Sequence, residues 1–119
     1  MTDKTRPTDM DTDEKLRVIA RRIGEFFSPD APVDVPSMIF VAGLQVLGRP
    51  EAGLSRDDKL AVMHVGTCAL LEPYGYYRMT GRDGDGWPQY ELLRPVDERA
   101  SSEGELLKEA LVGYFADLL

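Results

Sequence analysis

The residue types most suited to chemistry are a histidine, a cysteine and a glutamate spaced four residues apart: His64, Cys68 and Glu72. In an α-helix this spacing places the three side chains on one face. Imidazole and thiolate are zinc ligands, and a Cys–His pair can also act as nucleophile and base. A zinc site needs at least three protein ligands, however, and Glu72 lies two turns, roughly 11 Å, from His64 in a regular helix. We therefore expect a partly buried histidine beside a buried thiol, predict no metal or cofactor, and assign no catalytic residue.

Aromatic residues are concentrated in a predicted β-hairpin that follows this helix. Residues 76–80 favour a strand, residues 81–86 are a dense turn signal, and residues 87–94 form the return strand. Pairing Thr80 with Trp87 divides the side chains between two faces. One predicted face is apolar and comprises Tyr77, Met79, Tyr90 and Leu92. The other face is a candidate binding surface and comprises Tyr76, Arg78, Trp87, Gln89 and Glu91.

The hairpin also supplies aromatic rings for a candidate ligand pocket around the histidine. Its predicted members are His64, Cys68, Tyr77 and Tyr90. Aromatic side chains carry much of the binding energy at interfaces and line small-molecule pockets. They are equally the normal filling of a small sheet that covers helices, and this alternative stays open.

Two amphipathic helices are predicted at the ends of the chain. The first begins at Thr12 or Asp13 and has an apolar stripe of helical spacing: Leu16, Ile19, Ala20, Ile23, Phe26 and Phe27. Its outer face carries a basic cluster that we expect to be solvated: Lys15, Arg17, Arg21 and Arg22. The last helix begins with a capping box formed by Ser102 and Glu105. Its apolar stripe comprises Leu107, Ala110, Leu111, Tyr114, Phe115 and Leu118.

Two further helices are predicted in the middle of the chain. Residues 36–48 begin with proline and end with glycine, which favours a buried helix, although their β-branched residues leave a strand open. Gly43 within this segment would let another backbone approach closely. The next helix can be capped by Ser55 or Asp57, and Pro73 and Gly75 stop it. Because residues 60–71 are apolar nearly all round, we expect this helix to be covered on more than one face, partly by the hairpin.

The predicted fold class is α+β and mostly helical, with three helices, a β-hairpin and a C-terminal helix. This order resembles that of winged-helix domains, in which a trailing helix is often a dimerisation element. We predict a disordered tail over residues 1–11 and a single domain over residues 12–119.

Composition narrows the classes of function. The formal net charge of −7 argues against general affinity for nucleic acid. A single cysteine excludes an internal disulfide, and no apolar run approaches the roughly 18 residues of a membrane span. The sequence therefore predicts a cytoplasmic protein without a membrane partner.

Three hypotheses for function follow, in order of preference. The first is a non-enzymatic binding or assembly module that contacts a protein, or a second copy as a homodimer, through the aromatic hairpin and the C-terminal helix. The second is a small-ligand or metal-binding domain around His64 and the hairpin tyrosines. The third is a winged-helix DNA-binding regulator, which the acidic charge and the apolar third helix disfavour.

Overall fold

The computed structural model describes residues 10–27, 33–49, 52–98, 100 and 104–119. Its helices and strands are α1 (Thr12–Phe27), α2 (Val35–Leu47), α3 (Arg56–Leu71), β1 (Tyr77–Arg82), β2 (Pro88–Leu92) and α4 (Glu105–Tyr114). Short 3₁₀ turns over Glu72–Tyr74 and Ala116–Leu118 follow α3 and α4. The predicted mostly helical α+β fold, with helices, then a hairpin, then a C-terminal helix, is confirmed. Most of the predicted tail, residues 1–9, lies outside the described residues.

Side chains at the helix starts satisfy backbone groups that the helices themselves leave unpaired. Asp34 accepts a hydrogen bond from the backbone N–H of Ser37 at 3.0 Å, which caps α2. Ser55 and Asp58 form a reciprocal capping box at the start of α3, as each side chain accepts from the other residue's backbone N–H. Residues 35–47 are therefore helix and not strand, and Gly48 ends the helix with a left-handed φ of 77°.

The crossing of α2 and α3 depends on two glycines. A Cβ atom on Gly43 would lie 2.1 Å from the carbonyl oxygen of Val62, and one on Gly66 would lie 2.1 Å from the carbonyl oxygen of Ile39. Only a residue without a side chain lets the two backbones approach this closely. The predicted close approach at Gly43 is confirmed.

One hydrophobic core joins all four helices. α1 contributes Leu16, Ile19 and Ile23, and the other helices contribute mainly aliphatic side chains: Met38, Ile39, Leu70, Leu71, Leu107 and Leu111. The aromatic rings of Tyr76 and Phe115 complete it. Within the described ranges, none of the helices is long and apolar enough to span a bilayer.

The hairpin has the predicted faces but a different register. Met79 pairs with Tyr90 and Tyr77 pairs with Leu92, whereas the sequence analysis paired Tyr77 with Tyr90. A shift of two residues keeps paired positions on the same face, because side chains alternate with period two, but Leu92 of the predicted apolar face is 55% exposed. Thr80 is the extra residue of a bulge between Met79 and Gly81.

The start of α4 differs from the prediction. The helix begins at Glu105, with Gly104 at the N-cap position and no side-chain cap. Ser102, the predicted cap, lies outside the described residues. Glu105 is therefore the first residue of the helix, and the predicted partner of its capping box is not among the described residues.

Candidate functional site

The Cys68 thiol is held in a protonated, unreactive form. Its side chain is fully buried, and its sulfur lies 3.4 Å from Nε2 of His64. Burial raises the pKa of Cys68 to about 12, and the negative charge of Glu72 adds to this increase. Because the thiolate is the nucleophile and the metal ligand, this pair has no activated sulfur at neutral pH.

Glu72 serves the hairpin and not the histidine. Its Oε2 accepts a hydrogen bond from the backbone N–H of Met79 at 2.8 Å, which ties the end of α3 to β1. In the described part of the chain, no group of three or more His, Cys, Asp or Glu residues could hold a metal ion. Glu72 therefore anchors the first strand, a role that its sequence position alone did not reveal, whereas His64 is exposed and not partly buried as expected.

The predicted ligand pocket is only partly assembled. A cleft of ≈ 340 Å³ lies between α3 and β2, and its lining residues are Ala61, His64, Val65, Asp83, Trp87, Pro88, Gln89 and Tyr90. His64 and Tyr90 thus line the cleft, whereas Cys68 and Tyr77 are not among its lining residues. The Tyr77 ring meets His64 edge-on, with centroids 6.1 Å apart. Burial, with a smaller contribution from the Glu72 charge, raises the pKa of Tyr90 to about 12, so its hydroxyl is neutral at physiological pH.

Tyr76 does not belong to the candidate binding surface on the hairpin. It is only 2% exposed, and its hydroxyl donates to Asp97 at 3.0 Å. The guanidinium of Arg94 lies 3.8 Å from the ring centroid. The strand begins one residue later, so Tyr76 lies in the turn after α3 and does not follow the strand alternation. The predicted exposure of Tyr76 is wrong.

The other four members of that surface form a polar layer. Arg78 and Glu91 face one another on paired strands and form an exposed ion pair. Trp87 is half-buried, with the guanidinium of Arg49 5.8 Å from its ring centroid. Gln89 is exposed, and its amide donates to the Trp87 carbonyl at 3.1 Å. Arg78 and Glu91 therefore neutralise one another on the exposed side of the hairpin, whereas Trp87 and Gln89 also line the cleft beside α3.

The tip of the hairpin is tied to the end of α2. Arg82 donates to the carbonyl of Val46 at 2.7 Å and to that of Gly86 at 2.8 Å. Arg49 donates to the carbonyl of Asp85 on the same turn. Arg82, the cation at the hairpin tip that could have contacted a nucleic-acid phosphate, therefore donates its hydrogen bonds within the chain.

The outer face of α3 is more open than predicted. Leu60 is 64% exposed, and Ala61 and His64 are also exposed. The expectation that this helix is covered on more than one face is wrong at Leu60, Ala61 and His64, which are exposed. The exposed cations there, Arg56 and Lys59, share the first turn with Asp57 and Asp58, which cancel their charge.

The largest of the described grooves was missed by the sequence analysis. It has a volume of ≈ 440 Å³, lies among α1, α2 and the end of the chain, and is lined by Ile23, Phe26, Val41, Gln45, Tyr114, Phe115, Asp117 and Leu118. We call these eight residues the Phe26–Tyr114 surface. Phe26 is 78% exposed, so its predicted place in the core stripe of α1 is wrong. The apolar period continues to Phe26, but its side chain points away from the core that buries Ile23.

A second shallow groove adjoins the first. It has a volume of ≈ 310 Å³, and Ala69, Leu70, Pro73, Tyr74, Ala110, Gly113 and Tyr114 line it. Tyr114 borders both grooves and is itself 37% exposed, with its ring packed at 4.9 Å against that of Phe115. The end of α4 therefore carries apolar surface on both of its sides.

We found no match to this chain among protein-family models, curated protein sequences or solved structures. The resemblance to winged-helix domains remains one of element order, and a shared order of elements does not assign a function.

Proposed function

We propose that this chain is a non-enzymatic binding and assembly module that docks a protein through the end of its C-terminal helix. The observation that carries the proposal is Phe26, which is 78% exposed beside an apolar groove of ≈ 440 Å³. Contiguous apolar surface at the exterior of a small domain is typical of an interaction site.

The composition of the Phe26–Tyr114 surface supports a protein partner. Aromatic side chains in the centre of an interface supply much of its binding energy, and this surface presents two of them, Phe26 and Tyr114, on a floor of buried aliphatic groups. Its polar members, Gln45 and Asp117, are both exposed. The hairpin half of the original hypothesis has weaker support, because Tyr76 is buried and Arg78 pairs with Glu91.

Site-specific photo-crosslinking tests this proposal. The photoreactive residue p-benzoylphenylalanine replaces Tyr114 in the full chain expressed in cells, and the matched control carries it at exposed Arg17 on the outer face of α1. We expect a discrete protein adduct from position 114 and none from position 17. Irradiation that yields no adduct at 114, or equal adducts at both positions, would reject the proposal.

A second candidate function is the binding of a small aromatic cation in the cleft between α3 and β2. It is supported by the convergence of the Trp87 and Tyr90 rings with the Asp83 carboxylate and the His64 imidazole. An aromatic cation could stack on the rings while its charge faces the carboxylate. Trp87 is the only tryptophan, so its fluorescence reports on this cleft. Titration with benzamidine should give a saturable change that His64→Ala weakens; a linear response in the wild type would eliminate this candidate.

A further inference from the structure

We infer that the partner of the Phe26–Tyr114 surface is a second copy of this chain, which exchanges Phe26 reciprocally with the first. This inference rests on the proposed function, because it names the occupant of the same surface. The inference has two grounds. The same surface holds both the protruding ring of Phe26 and an apolar groove that could receive it. Arg22 lies beside the ring and Asp117 lies in the groove, so an exchange of rings would bring opposite charges together.

The ring and the groove are adjacent, which suits two-fold symmetry. In a dimer with a two-fold axis, the same patch faces itself, so that residue i contacts residue j and residue j contacts residue i. Phe26 projects from the last turn of α1, and the groove floor beside it is formed by Ile23, Val41 and Phe115, all of them buried. A two-fold axis beside Phe26 therefore places each ring in the groove of the other copy and covers both at once.

The charges at the edges of the patch fit the same arrangement. Arg22 lies one helical turn before Phe26 and is exposed, so it shares the face of α1 from which the ring projects. Asp117 is exposed and lines the groove. The exchange of Phe26 carries Arg22 toward Asp117 of the second copy. Within the described residues, neither side chain makes an ion pair, so both are available for this contact.

This arrangement also explains how a strongly acidic chain can bind itself. The net charge of −7 opposes association of two copies in general, so a contact between them must present local positive charge. Arg22, on the face of α1 from which Phe26 projects, supplies it. In a second copy, Asp117 supplies the opposite charge at the groove.

Sedimentation equilibrium of the full chain at micromolar concentration tests the inference. The wild type should be a dimer. Phe26→Ala should raise the dimer dissociation constant by at least about 30-fold, because each dimer loses two aromatic anchors. Leu92→Ala removes another exposed apolar side chain, from the hairpin, and should leave the constant unchanged. Far-UV circular dichroism verifies that each variant is folded, as expected for substitutions of exposed residues.

A charge exchange tests the geometry independently. At about 150 mM sodium chloride, where the overall repulsion is largely screened, Arg22→Asp and Asp117→Arg should each weaken the dimer. The double variant should restore it, because the pair forms between copies with its polarity reversed. A wild type that is monomeric at every concentration, a Phe26→Ala dimer as stable as the wild type, or a double variant no better than the singles would each overturn the inference.

The crosslinking experiment separates this inference from the proposed function. An adduct at position 114 with twice the mass of the chain supports both. An adduct of any other mass leaves the binding module intact and overturns the homodimer, and the absence of an adduct overturns both.

Discussion

At the scale of single residues, Cys68 is the side chain whose chemistry depends most on its surroundings. Its pKa is raised by burial from 9.0 to about 12, so the folded chain holds the thiol proton more tightly than the unfolded chain does. Between these two values the folded state binds more protons, so the free energy of unfolding must fall as pH rises. The stabilisation is complete below pH 9 and is lost by about pH 12.

The first prediction follows from this fall in the free energy of unfolding as pH rises. Urea unfolding of Cys68→Ala should show a smaller loss of stability between pH 7 and about pH 10 than the wild type shows. Tyr77 and Tyr90, whose pKa values are also raised, remain in both proteins, so the difference between the two slopes isolates the thiol. Parallel slopes would mean that Cys68 ionises as easily in the folded chain as in the unfolded one.

Glu72 gives the second prediction at this scale. Its carboxylate accepts the backbone N–H of Met79, so Glu72→Ala should destabilise the chain by about 1 kcal/mol, and Glu72→Gln should lose less because an amide oxygen can still accept. Hydrogen exchange measured by NMR should speed up at the Met79 amide in Glu72→Ala. Unchanged protection of that amide would show that the carboxylate does not hold the strand.

At the scale of secondary-structure elements, the crossing of α2 and α3 sets the positions of both candidate sites. α3 forms one wall of the cleft, and Val41 of α2 lies in the floor of the Phe26–Tyr114 groove. Gly43 permits this crossing. Gly43→Ala should therefore lower the free energy of unfolding by about 3 kcal/mol, because backbone atoms of α3 must move to admit the new methyl group.

Gly113 supplies the matched control for that third prediction. It also lies within a helix, but a Cβ atom there would meet nothing within 4 Å. Gly113→Ala should raise stability by roughly 0.5–1 kcal/mol, because alanine favours the helix. Chemical denaturation of both variants measures the contrast. If both substitutions shift stability in the same direction, then helix propensity, and not the close approach at Gly43, determines the effect.

At this scale, the order of the elements and most helix boundaries could be predicted from the sequence. Local signals such as Ser55, Asp34 and Gly48 determine where helices begin and end, and these signals are visible in the chain itself. Hairpin alternation could not give the register, because the register depends on the bulge at Thr80 and on the turn in which the Asp83 carboxylate accepts from the backbone N–H groups of Asp85 and Trp87.

At the scale of the whole molecule, the candidate interface could not be predicted from the sequence. Phe26 and Ile23 share one apolar stripe, yet Ile23 is buried and Phe26 is exposed, because burial depends on which elements pack against each residue and not on its spacing in the helix. Tyr114 and Asp117 join Phe26 only once α4 has packed beside α1. The periodicity of a single helix does not tell which of its apolar residues a neighbour covers, or which residues of another helix lie beside it.

The net charge of the molecule leads to the fourth prediction, which concerns salt. Two copies that each carry −7 repel one another by roughly 7 kcal/mol at a separation of about 30 Å in unscreened water. Physiological ionic strength shortens the Debye length to about 8 Å and removes most of this repulsion. An exposed Arg22–Asp117 pair contributes at most about 1 kcal/mol, so the screening of the overall repulsion outweighs the weakening of the pair.

Salt should therefore strengthen the dimer, and its dissociation constant should fall by at least about tenfold between about 10 mM and 150 mM sodium chloride. Sedimentation equilibrium across a salt series measures the trend. The double variant of Arg22→Asp with Asp117→Arg keeps the net charge and should follow the wild-type curve. A dimer that weakens steadily as salt is added would instead be held by ion pairs, and the burial of Phe26 in the opposite groove could not then be its main source of stability.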